Sequence, residues 1–113
     1  MKIDDGKIVV ISQPTHVTIS WYVGSGFVER ATVSADLVDQ WWINRVLVQP
    51  ESNRGLGIGS HLLKMLKEEV KKQGGTKIVV APGGYDQNKD RQVRFYKKHN
   101  FIEYEQGSYI CFL

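Results

Sequence analysis

Between Val46 and Leu63 the residue pattern of the chain changes twice. A β-branched run, Val46-Leu47-Val48, stops at Gln49-Pro50; glycines then alternate at Gly55, Gly57 and Gly59, and apolar residues begin to recur at helical spacing. A strand feeding a glycine turn and then an amphipathic helix gathers unpaired backbone N–H groups and the positive end of a helix dipole at one point, which is a site for an anion. Glycine at these positions removes side chains that would keep the backbone away from phosphate oxygens. Asn53 and Arg54 complete the cradle, Arg54 either by forking onto phosphate or through its backbone alone. The competing reading, that the glycines only let a helix pack closely, makes no use of the turn's position between strand and helix.

Spacing excludes two nucleotide readings. A P-loop needs Lys and Ser/Thr after its glycines, whereas this chain has Gly59-Ser60-His61. A dinucleotide fingerprint needs Gly-x-Gly-x-x-Gly and an acidic residue about twenty positions on. Here the glycines are two apart, and position 77 is Lys.

The remaining pattern describes one domain over residues 1–113, because 113 residues support a single core. Strands are expected at 8–11, 15–23, 27–33 and 41–48, with 35–40 no more than a turn or a single helical turn. Ile58, Leu62, Leu66 and Val70 fall every four positions against Lys64, Lys67, Lys71 and Lys72, which predicts a helix over about 57–73. Gly74-Gly75 ends it, and residues 76–81 form a strand parallel to the fourth by a right-handed crossover. After a loop at 83–88, Asp90 caps a second helix over 91–99 that closes at Asn100. Residues 101–105 and 109–113 make a final strand pair.

Composition narrows the function classes. Residues 1–44 carry three basic against five acidic residues and residues 45–113 twelve against seven, so the half with the glycine turn is the basic one. The lysine stripe is interrupted by Glu68 and Glu69 without interleaved aromatics, which argues against nucleic-acid binding. His16, His61 and His99 are too scattered for a metal site, and Cys111 reads as a buried, inert thiol. Apolar runs are strand-sized and Met1-Lys2-Ile3-Asp4-Asp5 begins no signal region, so the expectation is a cytoplasmic protein with no membrane contact.

Arg54-Gly55-Leu56-Gly57-Ile58-Gly59, preceded by Val46-Leu47-Val48-Gln49-Pro50 and followed by Phe95-Tyr96-Lys97-Lys98-His99-Asn100-Phe101, resembles the GCN5-related N-acetyltransferase (GNAT) superfamily. The resemblance covers 41–105 and is only topological before that. It implies a mixed, mostly antiparallel α/β sheet of six or seven strands with two main helices, lacking the helices that the family commonly inserts between its first two strands. It implies acetyl-CoA as co-substrate and an amine acceptor, either a protein or a small molecule. The turn from Asn53 and Arg54 through Gly55, Leu56, Gly57, Ile58, Gly59 and Ser60 would hold the pyrophosphate, and Val46, Leu47 and Val48 would pair with the pantetheine arm. Asn88 and Arg91 complete the cofactor-binding set.

For the chemistry, the resemblance places Tyr96 where a phenol protonates the departing sulfur, against the plainer reading of a core aromatic beside Phe95. The fourth strand has no carboxylate where many members place a glutamate; Asn44 can orient a water there but cannot take a proton. Asp39, His16 and Glu29 are the alternative bases, beside water-mediated proton loss or catalysis by proximity. The missing carboxylate also motivates a second reading, a catalytically idle CoA-binding regulatory or interaction module. With only Ser12-Gln13-Pro14 between the first two strands, the acceptor site should be open, and Trp21, Tyr22, Trp41, Trp42 and Tyr85 either line it, bury a homodimer face or pack in the core.

Overall fold

A computed structural model of the chain describes residues 6–24, 26, 28–48, 57–83, 86–105 and 107–113, with the backbone alone at 86–88. Its elements run β1 (Gly6–Gln13), β2 (His16–Val23), β3 (Val28–Leu37), β4 (Trp41–Val48), α1 (Ile58–Lys72), β5 (Lys77–Val80), α2 (Asp86–Lys98), β6 (Ile102–Glu103) and β7 (Tyr109–Phe112). The seven strands form one sheet in the order β1-β2-β3-β4-β5-β7-β6. All pairings are antiparallel except β4 with β5. The expected mixed sheet with two helices is therefore present, and β7 inserts between β5 and β6.

Alternation decides what each face of β1 to β4 does. Val17, Ile19 and Trp21 of β2 and Ala31, Val33 and Ala35 of β3 point to one side and are buried. The apolar stripe of α1, Ile58, Leu62, Leu63, Leu66 and Val70, packs onto them. Thr18, Ser20, Thr32, Ser34 and Asp36 point to the other side, which no helix covers among the described residues.

Two boundaries differ from expectation by four residues or more, while β1 is longer by two residues at each end and β6 is shorter than its expected span. β3 runs on to Leu37, because past Val33 its side chains still alternate usefully: Ala35 is buried in the core, while Ser34 and Asp36 find polar partners on the open side. α2 begins at Asp86, so Asp90 lies inside the helix. Residues 86–90 carry no apolar spacing, and hence gave no periodic signal.

Both helices end in the same way. Gly74 (φ 89°) donates to the Lys71 carbonyl at 3.0 Å and Gly75 to that of Val70 at 2.9 Å. Asn100 (φ 70°) donates to Lys97 at 3.2 Å and Phe101 to Tyr96 at 3.1 Å. Each is a Schellman motif, with Asn100 accepting the left-handed conformation that glycine usually supplies. In α2 the accompanying apolar contact is Phe101 edge-on to Tyr96, with ring centroids 5.3 Å apart, so the helix stop also fixes Tyr96.

Candidate active site

The site begins where β4 and β5 part. They are paired only at Trp41↔Ile78 and Trp42↔Val79, while β4 continues to Val48 against β3 alone. Arg45 faces Ser34 and Ile43 faces Ala35, which leaves Asn44 as an extra residue, a β-bulge that bends β4 at the point of divergence. Beyond it, alternate N–H and C=O groups of Val46, Leu47 and Val48 turn away from β3 into the gap.

The gap is a cleft of about 770 Å³, within the range that holds a cofactor-sized ligand. Val80, Ala81 and Gly83 form the wall opposite β4, and Gly57, Gly59 and Ser60 close one end. Gly57 caps α1 with φ 80° and no side-chain cap bond, and the first turn has no acidic residue. The first N–H groups of α1 and the positive end of its dipole are thus left for an anion. A Cβ on Gly59 would lie at ordinary contact distance, 3.6 Å, from Phe95 and from Val48, so helix, strand and α2 meet around this position at the cleft.

α2 supplies the other side. Tyr96 is 3 % exposed and lines the cleft; burial pushes its phenol up to about 12, so it is a proton-bearing donor throughout the neutral range. Gln92 clamps the end of the β5 wall, accepting from the Gly83 N–H at 3.3 Å and donating to the Gly83 carbonyl at 2.5 Å. His99 meets the Ser60 hydroxyl at 2.8 Å and lies against Phe95, with ring centroids 4.9 Å apart. Burial, and then the charges of Lys67 and Lys98, hold the His99 pKa below the ordinary histidine value, which favours a neutral ring beside the cradle.

The structure brings together Asn44, Val46, Leu47, Val48, Gly57, Gly59, Ser60, Arg91 and Tyr96 around this cleft. Ile58 is 1 % exposed with its side chain in the core, so only its backbone is available to a ligand. Asn53, Arg54, Gly55 and Leu56 lie outside the described residues, as do the Asn88 side chain and Tyr85. Trp21 and Trp41 belong to the core. Trp42 and Tyr22 stay half-buried on the open face, and the Trp42 indole donates to Asp39 at 3.2 Å, a bond that holds the Asp39 pKa below its usual value.

Sequence reasoning passed over Asp36, Ser34, Gln92 and the contact of His99 with Ser60. The alternation Thr32, Ser34, Asp36 marked the first two as one polar face. Ser34 donates to Asn44 Oδ1, and Asn44 Nδ2 donates to Asp36, so the bulge residue's amide is held at both ends. Asp36 also meets His16 Nδ1 at 2.6 Å, and His16 Nε2 meets the Thr18 hydroxyl at 2.6 Å.

With this geometry in place, the comparisons are direct. Residues 4–103 match the model of the acetyltransferase (GNAT) domain, and the chain belongs to that family. No curated protein sequence matches it significantly. Among solved structures it is similar to a GNAT-family acetyltransferase of Staphylococcus aureus Mu50, with TM-score 0.73 and 18 % identity over 87 % of this chain and 68 % of the other. It is similar as well to a GNAT-family acetyltransferase of Elizabethkingia anophelis with acetyl-CoA bound, with TM-score 0.71 and 15 % identity over 97 % and 99 % of the two chains. A third is the PaiA N-acetyltransferase of Thermoplasma acidophilum in complex with coenzyme A, with TM-score 0.63 and 17 % identity over 85 % of this chain and 58 % of that one. At such identities these likenesses speak to the fold. Among the described residues no helix is long and apolar enough to cross a membrane, and no cluster of metal-ligating side chains is present.

Proposed function

We propose that this single-domain chain is a cytoplasmic N-acetyltransferase that moves the acetyl group of acetyl-CoA directly to a primary amine. The observation that carries the reading is the parting of β4 from β5 at the Asn44 bulge, which opens a cleft onto the uncapped start of α1. In this reading the diphosphate lies on the first-turn N–H groups of α1, completed by Asn53 and Arg54, with Asn88 and Arg91 beside it. The amide-rich pantetheine arm takes the place of a strand along Val46, Leu47 and Val48.

The neutral amine attacks the thioester carbonyl carbon and a C–N bond forms. A backbone N–H of β4 stabilises the oxyanion. The C–S bond then breaks, and the departing thiolate takes the proton of the Tyr96 hydroxyl. The attacking nitrogen sheds one proton to solvent and Tyr96 regains one from it, so neutral amine and thioester become amide and free thiol with no net release of protons. One proton is released overall only when the amine arrives as its ammonium. The raised pKa of Tyr96 keeps the phenol loaded for each turnover.

Calorimetric titration with acetyl-CoA, followed by thiol release against a panel of amines, tests the reading. Binding with turnover, and a drop in kcat of about 100-fold in Tyr96→Phe at unchanged acetyl-CoA affinity, is the expected result. No binding overturns it. Tight binding without turnover, with Tyr96→Phe indistinguishable from the parent, would instead establish the idle CoA-binding module, the reading that the absent carboxylate on β4 favours.

A further inference from the structure

The base that β4 lacks has a counterpart on the open face of the sheet. Thr18, His16, Asp36, Asn44 and Ser34 come from three strands and are joined by four consecutive hydrogen bonds. Thr18 and Ser34 are cross-strand neighbours, so the series folds back on itself around one patch. Asn44 is its link to the cleft, which it lines at the bulge where β4 and β5 diverge.

The protonation pattern follows from the partners. A carboxylate only accepts, so His16 Nδ1 carries the proton that Asp36 receives, and in the neutral ring Nε2 accepts from the Thr18 hydroxyl. A carboxylate that orients a histidine, whose second nitrogen meets a hydroxyl, is the arrangement by which proteins make an imidazole a working base. His16 and Asp36 are 36 % and 42 % exposed, so a ligand and solvent both reach them. Trp42 stands opposite Asp36 in register, its indole pinned by Asp39, and presents an aromatic surface beside the carboxylate.

We propose that this patch is the acceptor site: an alkylammonium docks against Asp36 and Trp42, and His16 removes the proton it must lose before attack. The proposal rests on the acetyltransferase reading and assigns that reaction its base and its acceptor class. The ammonium gives a proton to the Thr18 oxygen as the Thr18 hydroxyl proton passes to His16 Nε2. The free amine is left beside Asn44, the member of the series that lines the cleft, and Asp36 stabilises the imidazolium until it sheds the proton to solvent. Other charged groups on this face are Lys7 of β1, Glu29 of β3, Arg45 of β4 and Asp39, which accepts from the Trp42 indole; β1 places neutral Gln13 opposite His16. A lysine side chain and a free diamine share the required chemistry.

The test uses the full chain, acetyl-CoA and three acceptors at pH 7: Nα-acetyl-lysine amide, 1,4-diaminobutane and an arylamine that is uncharged at that pH. Asp36→Asn is expected to raise KM for the two alkylammonium acceptors, and His16→Gln to lower kcat for them about 100-fold and abolish its rise with pH. The arylamine, which needs neither anchor nor prior deprotonation, should change by less than about 3-fold. Acetyl-CoA affinity, read by calorimetry, stays at the parent value in both variants. Of the alkyl probes, the one with the higher kcat/KM identifies the acceptor as a lysine side chain or a free polyamine. Alkylammonium transfer at parental rates in both variants, or no alkylammonium transfer by a parent that binds acetyl-CoA, overturns the assignment. Failure of the parent to bind acetyl-CoA overturns the transferase reading beneath it.

Discussion

Trp21 and Ser20 are adjacent in β2 and both buried, at 0 % and 4 % exposure, yet they lie on opposite faces of the sheet. Trp21 is in the apolar layer under α1. Ser20 faces the side without a helix, where it shares a 3.0 Å hydrogen bond with Thr32. The covered face is held by area removed from water, which is non-directional and cumulative. The open face is shallow, its short hydroxyl side chains lying between larger neighbours such as Val9 and Leu47, and its order comes from directional polar contacts. Similar burial thus reports different forces on the two sides, and the polar side is the one that carries titratable groups next to the cleft.

Truncation is the harshest way to test this contrast. Trp21→Ala should cost about 3–5 kcal/mol in urea denaturation, whereas Ser20→Ala, one position away, should cost about 1 kcal/mol. Equal losses would mean that the open face is packed as a second core. A smaller effect isolates Tyr96, which the covered side buries. Its pKa is raised to about 12 from 10.0, so between those values the folded chain keeps a proton that the unfolded chain releases. Stability present below pH 10 is lost as pH rises towards 12, by about 2–3 kcal/mol, and Tyr96→Phe should remove that loss. An unchanged alkaline slope in the variant would place the phenol in water.

The smallest effects separate two glycines of one turn. Gly57 has φ 80° with nothing within 4 Å of an added Cβ, so Gly57→Ala meets backbone strain alone and should cost about 1–2 kcal/mol in thermal unfolding. Gly59 lies inside α1 with ordinary 3.6 Å contacts, and Gly59→Ala should gain about 0.5 kcal/mol from helix propensity. A Gly57→Ala variant no less stable than the parent would mean that the α1 cap does not need the left-handed residue.

Much of this was legible in the residue pattern. The stripe Ile58, Leu62, Leu66 and Val70 placed α1 within about a residue at each end, and Asn100 gave the second helix stop. Glycines at 57 and 59 and the tyrosine at 96 did converge on one cleft. The start of α2 was not legible, because a polar helix turn has no hydrophobic period, nor was the extension of β3, because Ser34 and Asp36 resemble turn residues until their cross-strand partners are known. Asp36 was overlooked for the same reason: its partners His16 and Asn44 lie 20 and 8 positions away.

The sequence by itself determined which residues alternate, where a helix must present its apolar face, and where glycine allows an anion to approach backbone, since each is a property of neighbouring residues. Only the tertiary structure decided that Asn44 bulges, that β4 leaves β5 after two pairs, that β7 inserts beside β5, and that His16, Asp36 and Asn44 meet. Those outcomes depend on register between strands, which is set by the summed packing of distant segments and is invisible to any local period.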